Sequence, residues 1–328
     1  MTKKFALLAS LLWLVAAPAT VAAETERVAN GFPSKPVSYI IPFGAGGESS
    51  IAAQLQQSFF KDLTGQDLVI SYRPGGGGAV VWNEINTWPG DGHTVIGINL
   101  PHIVLQPMLG ARYRTSDIAG VFIFHYTPDA IVVRDDSPFE TLDDLLEHAR
   151  ANPGQLVFSG SGRGTANHLA QIRFDKLAEI QTQYKPYKGT AASVVALLQE
   201  KVDASWGYTT VGMTYPDDVR LLAVATEERH TQFPEVPTFR EKGFNLVEGA
   251  YRGIAVPKST PESVRKTLSG IFTKINADPA MRQSMESRGF APVDIPYGKI
   301  PDFMKKRKRE YLSHAKEVGF GDDLAPRR

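Results

Sequence analysis

The chain has 328 residues, 42% of them hydrophobic, no cysteine and a formal net charge of +1. That length suits about two domains with sizeable cores. The near-zero charge gives no electrostatic case for nucleic acid, and the lack of cysteine excludes disulfides and a lipid-bearing N-terminal cysteine.

Lys3 and Lys4 precede an apolar run from Phe5 to Ala17, and small residues follow through Thr20, Val21, Ala22 and Ala23. This reads as a secretory signal peptide cut after Ala23 or one residue earlier. The run is shorter than the roughly 20 residues that span a bilayer. Losing two lysines moves the net charge from +1 to −1. The expected location is the periplasm, where a cysteine-free chain must draw its stability from its core.

After a polar leader (Glu24 to Asn30), Pro36 opens a first strand, Val37 to Pro42. Gly44, Gly46 and Gly47 then lead through Glu48, Ser49 and Ser50 into a helix with Ile51, Leu55, Phe59 and Leu63 on one stripe, stopped at Gly65. A second strand, Asp67 to Tyr72, meets Gly75 to Gly78 and a helix that buries Val81 and Ile85. A third, Thr94 to Asn99, ends at Leu100, Pro101 and His102. Alternating strands and helices predict a parallel α/β sheet. Ile118 to Val133 reads as two strands interrupted at Thr127-Pro128-Asp129, where the chain crosses into the second domain.

In that domain Thr141 is expected to cap a helix, with Asp144 three residues on. The strand Leu156 to Ser159 leads through Gly160 to Thr165 into a helix with Leu169, Ile172 and Leu177 on one side. Thr182 to Tyr187 is a strand, Lys188 to Thr190 a loop, and Ala191 to Gln199 a helix. Strands follow at Asp203 to Tyr208 and Val219 to Ala225. Tyr251 to Pro257 returns the chain to the first domain, where helices carrying Leu268, Ile271 and Ile275, and then Phe303 to Val318, close the fold. The expected division is 24–126 with 249–328 as domain 1, and 127–248 as domain 2.

Four Gly- or Ser-rich loops sit between a strand's C-terminal end and a helix's N-terminus: 44–50, 75–78, 159–165 and 188–190. Ligands of open α/β sheets bind at that edge. Glycines permit close backbone approach, and the unpaired N–H groups of a helix start favour an anion. Two domains facing each other through such loops make a two-jawed anion cleft. Nucleotide motifs fail: Gly160-x-Gly162-x-Gly164 lacks the dinucleotide spacing, and no P-loop is present. The histidines show no paired metal spacing, so neither a metal nor a cofactor is expected. A serine hydrolase built on Ser161 and His168 lacks a nucleophile elbow and an acidic orienter.

Glu48 favours a helix N-terminus, yet inside an anion site it repels the ligand. It either points to solvent or holds a ligand hydroxyl, an amine or a water. Trp206, Tyr208 and Tyr251 lie on or beside strand ends, and Arg252 is suited to pairing with a carboxylate. Lys305 to Arg309 reads as a solvated helix face.

These residues resemble one family: the extracytoplasmic solute-binding receptors of tripartite tricarboxylate transporters, also called the Bug family. The resemblance rests on Pro42-Phe43-x-Ala45-Gly46-Gly47, Arg73-Pro74-Gly75-x-Gly77-Gly78, Asp91-Gly92-x-Thr94 and Ser137-Pro138-Phe139-x-Thr141. It continues through Ala151-Asn152-Pro153-Gly154, His168-Leu169-Ala170, Pro186-Tyr187-Lys188-Gly189 and Val236-Pro237-Thr238-Phe239. It implies a two-domain, type II periplasmic-binding-protein fold with mixed, mostly parallel sheets, flanking helices and a cleft between the domains. It implies no catalysis, a small carboxylate as ligand (a di- or tricarboxylate or an aromatic carboxylate), membrane permease subunits as partners, and a monomer.

The expected ligand contacts are Gly46, Gly47, Glu48, Ser49, Ser50, Gly77 and His102 on one jaw. On the other they are Ser159, Ser161, Gly162, Thr165, His168, Tyr187, Lys188, Gly189, Trp206 and Tyr208, with Tyr251 and Arg252 on the returning strand. The family usually has Asp where this chain has Ser50, so Ser50 either caps the helix or marks a different ligand. A second reading is an exported sensory module that presents its closed form to a receptor kinase.

Overall fold

The computed structural model describes residues 31–322; the expected signal peptide and polar leader lie outside them. The first half is built on strands β1 (Val37–Ile41), β2 (Leu68–Tyr72) and β3 (Thr94–Leu100), with β1 parallel to both neighbours. β1 and β3 are apolar on both faces because helices cover both sides. Helix α1 (Glu48–Thr64) follows β1, and α2 (Ala79–Glu84) follows β2. α1 ends as expected: Gly65 has φ 72° and its N–H reaches the Lys61 carbonyl. Its buried stripe is Ala52, Ala53, Gln56 and Phe60, while Ile51, Leu55, Phe59 and Leu63 pack half-buried at the core's margin. The short α3 (His102–Leu105) follows β3.

The expected interruption at Thr127-Pro128-Asp129 is corrected: β4 (Ala119–Arg134) is one continuous strand. Proline normally demotes a strand because it cannot donate to the ladder. Here Pro128 stands where β4 changes partners. Its first part pairs antiparallel with β9 (Gly249–Val256) and β10 (Ala291–Pro296). Its second part, from Asp129, pairs with β7 (Ala204–Tyr208) and β8 (Val219–Val224). The molecule therefore holds two sheets joined through β4, with strand order β2-β1-β3-β9-β4-β7-β5-β6. β5 (Val157–Gly160) and β6 (Gln183–Pro186) are parallel.

The chain crosses back just before β9. The Asp129 N–H reaches the Glu248 carbonyl at 3.0 Å, so the two crossing segments lie side by side. A Cβ on Gly249 would stand 2.4 Å from the Thr127 carbonyl oxygen, so only glycine lets them approach so closely.

In the second domain α4 (Leu142–Ala151) and α5 (Ala166–Ala178) cover one face of the sheet. α6 (Thr190–Leu198) and α7 (Thr209–Thr214) cover the other. The Thr141 capping box is present: its side chain accepts the Asp144 N–H, and the Asp144 carboxylate accepts the Thr141 N–H. Thr141→Ala is expected to cost about 1 kcal/mol in urea unfolding. On α5 the expected stripe is corrected. Ala166, Ala170, Phe174 and Ala178 face the sheet, Leu169 and Ile172 join a satellite cluster with Leu105 and Phe320, and Leu177 is exposed.

After β9, helices α8 (Glu262–Ala277), α9 (Pro279–Glu286) and α10 (Ile300–Glu317) complete the first domain. Leu268, Ile271 and Ile275 are buried as expected. α9 and β10 were not anticipated, although Asp278-Pro279 is a helix start: the Asp278 carboxylate accepts the Ala280 and Met281 N–H groups. In the basic run of α10, Arg307 departs from the expected solvated face. It is half-buried and lies against the Tyr251 and Phe303 rings.

Candidate functional site

Every strand-to-helix loop named above opens toward the line where the two sheets meet. Loop 44–47 packs directly on loop 188–191. The Gly44 N–H donates to the Lys188 carbonyl at 2.9 Å, and a Cβ on Gly46 would stand 3.2 Å from that of Ala191. Loops 75–78 and 160–164 also meet. The Gln106 amide donates to the carbonyls of Gly77 and Arg163, at 3.4 and 2.6 Å. A Cβ on Gly77, whose φ is +58°, would strike the Arg163 carbonyl oxygen at 2.3 Å. The glycines at Gly46, Gly77, Gly162 and Gly189 thus serve loop-to-loop approach across the cleft.

Between the jaws lies a cavity of about 10 Å³, the space of one water molecule. Gly47, Glu48, Ser49, His102, Ser161, Tyr208 and Arg252, all named from the sequence, line it together with Phe43, Gly44, Asn99 and Thr190. Asn99 is the last residue but one of β3 and Thr190 begins α6, so both stand at the carboxyl edge where such sites form. That placement was the available signal for them, and equally for Thr210, in the first turn of α7 just after β7.

Glu48 is only 5% exposed, which corrects the solvent-facing alternative. Its carboxylate accepts from the Thr190 hydroxyl at 2.7 Å and the Thr210 hydroxyl at 2.9 Å, both on the opposite domain. Arg252 of β9 donates to it at 3.4 Å. The Arg252 guanidinium also donates to Thr127 and stacks 4.6 Å over the Tyr208 ring. A buried ion pair is tolerated only when its remaining hydrogen-bond valences are met, and here the two threonines and Thr127 meet most of them.

The cavity wall also carries unpartnered polar atoms. The Asn99 amide donates to the Ser49 hydroxyl at 3.1 Å, which leaves its Oδ1 free. His102 Nδ1 and Tyr208 Oη have no partner either, and all three residues are at least 98% buried. Burial, and then the nearby Arg252 charge, hold His102 well below the usual histidine range, so the ring is neutral. Deeper in, Ser161 donates to Asn167 at 2.6 Å, and Asn167 donates to Asp129 at 2.7 Å. Burial, reinforced by repulsion from Glu248, raises the Asp129 carboxyl far above the usual range, which favours its neutral form.

Several expected contacts lie elsewhere. Trp206 is fully buried, stacked on Phe239 and packed on Phe158 and Phe174. Ser159 belongs to a buried hydroxyl chain with Ser193 and Ser205. Tyr251 packs on Tyr126, Phe303 and Arg307. Ser50 does not cap α1. Gly47 holds that position, and the Ser50 hydroxyl bonds Tyr72 at 2.8 Å. Thr165 bonds the Gly162 carbonyl. His168 accepts the Gly164 N–H and stacks on Tyr184, while the Ser161 hydroxyl donates to Asn167. Tyr187 is half-buried beside α6, and Lys188 contributes its backbone while its side chain is exposed.

Two α/β domains joined by paired crossing segments, with a small polar site between their loops, define a solute-binding clamp. Residues 51–311 match the tripartite tricarboxylate transporter family receptor, and the chain belongs to that family. It is 31% identical over 288 residues to a protein of Pseudomonas sp. strain P51 described as "UPF0065 protein in tcbD-tcbE intergenic region", covering 85% of this chain and 84% of that one. Two solved structures share its fold. The periplasmic binding protein BugD superposes with TM-score 0.83 at 23% identity over 88% of this chain and 99% of its own. R. palustris Rpa4515 with adipate superposes with TM-score 0.83 at 22% identity over 88% and 98%.

Proposed function

We propose that the protein is an exported periplasmic receptor that closes on a small carboxylate and delivers it to the permease subunits of a tripartite transporter. The observation that carries the reading is the convergence, in a closed cleft, of Arg252, the start of α1 and the start of α6 on unpartnered polar groups of Asn99, His102 and Tyr208. Helix starts and a guanidinium favour an anion, and a fold relative binds adipate.

A cavity of about 10 Å³ admits no such ligand, so entry requires opening. The hinge we assign is Tyr126–Asp129 with Glu248–Gly249. There the chain passes between 31–126 with 249–322 on one side and 127–248 on the other, among the described residues. Ligand then favours the closed population through its higher affinity for that state. The contacts at the site are Gly47, Ser49, Asn99, His102, Ser161, Thr190, Tyr208 and Arg252.

Thermal shift with a panel of carboxylates, sugars and cations tests this. A true ligand at 100 times its dissociation constant is expected to add about 2.7 kcal/mol. Stabilisation by sugars or cations and by no carboxylate would overturn the reading.

A further inference from the structure

The cleft already contains a carboxylate, and it belongs to the protein. Glu48 sits where Thr190, Thr210 and Arg252 direct their donors, in the interior of the closed cleft. The residues lining the cavity include one cation, Arg252, and one anion, Glu48, so the wall has no net charge. Arg252 gives one nitrogen to Thr127 and Ala250 and another to Glu48, and keeps its Nε–H without a partner. A ligand carboxylate facing Glu48 therefore finds no second cation to offset the repulsion.

The free valences of the wall point the same way. With its amide nitrogen committed to Ser49, Asn99 presents a bare carbonyl oxygen. Glu48 is an acceptor only. Glu48 already accepts from Thr190, Thr210 and Arg252, so the Asn99 carbonyl oxygen is the acceptor here that calls for a donor. Hydroxyl donors that suit a carboxylate stand on the same wall in Ser49 and Tyr208.

Resting on the carboxylate-receptor reading, we propose that Glu48 sets the ligand class: one carboxylate, with a hydrogen-bond donor such as an ammonium or primary amide facing Glu48 and Asn99. A second carboxylate at that end is rejected. Two unit charges held about 5 Å apart at the effective dielectric of a partly buried site disfavour such a ligand by roughly 100-fold.

The test is calorimetric titration of the full mature chain with matched probes: succinate against succinamate, and glutarate against 5-aminopentanoate. The wild-type protein is expected to bind the amide or amine at least 10-fold more tightly than its dicarboxylate partner. Glu48→Gln is expected to close or invert that ratio. Equal or tighter binding of the dicarboxylates by the wild-type protein overturns the proposal even if the variant does not fold. An unchanged ratio in a folded Glu48→Gln protein also overturns it. Failure of every probe to bind counts against the carboxylate-receptor reading itself, and with it this one.

Discussion

Arg252→Met is expected to lower the unfolding free energy by about 3–5 kcal/mol, the range seen when one partner of a buried ion pair is removed. The loss arises because Glu48, 5% exposed, is left without its cation. Thr190 and Thr210 still donate to it, yet neutral hydroxyls do not replace a charge. Thr127 and the Tyr208 ring lose their partner as well. Urea unfolding measures the loss. The double variant Arg252→Met/Glu48→Gln isolates the cause, because a neutral amide no longer needs the guanidinium. It is expected to be more stable than Arg252→Met alone, a coupling that a mutant cycle reports directly. If Arg252→Met unfolds at the wild-type urea concentration, the pair is not a buried charge network. In binding assays the same single variant is expected to lose carboxylate affinity, because it removes the one cation among the described residues of the cavity wall.

Trp206→Ala is expected to cost about 3–5 kcal/mol, as large-to-small changes of aromatic core residues do. Phe239 stacks on this indole, and Phe158 and Phe174 pack around it, so the void would be lined by rings that β5, α5 and the turn after β8 hold in place. The companion variant Trp206→Phe separates packing from recognition. It is expected to reduce stability while ligand affinity stays within about twofold. A fall in affinity without a fall in stability would return Trp206 to the binding site. In the sequence it groups with Tyr208 because both are aromatic and lie on or beside a strand end. Their difference is one step along β7. Tyr208 reaches the sheet's carboxyl edge beside Ala166 and Ala250, and Trp206 lies one repeat deeper among the rings that Phe174 joins.

The sequence made the strand–loop–helix order legible because those signals are short-range. Apolar runs, the Gly65 stop and the Thr141 capping box act within a few residues, and the structure places each where its chemistry called for it. Gly47, Glu48, Ser49, His102, Ser161, Tyr208 and Arg252 were legible as wall residues for the same reason: they sit on or beside strand ends. The unity of β4 was not legible. A proline normally ends a strand, and only the change of pairing partner at Pro128 makes it harmless.

What the sequence by itself determined, then, is the alternating α/β grammar, the carboxyl-edge loops and the family. What only the tertiary structure decided is the role of each glycine and of Glu48. Gly77 and Gly162 could be ligand cradles or loop contacts on local grounds. Their contact with each other across the cleft settles how they pack. Glu48 meets Thr190 across 142 residues of chain, Thr210 across 162 and Arg252 across 204. No local pattern encodes such a meeting. It exists because two crossing segments bring the loops of both sheets to one line, where a carboxylate must be paired or expelled.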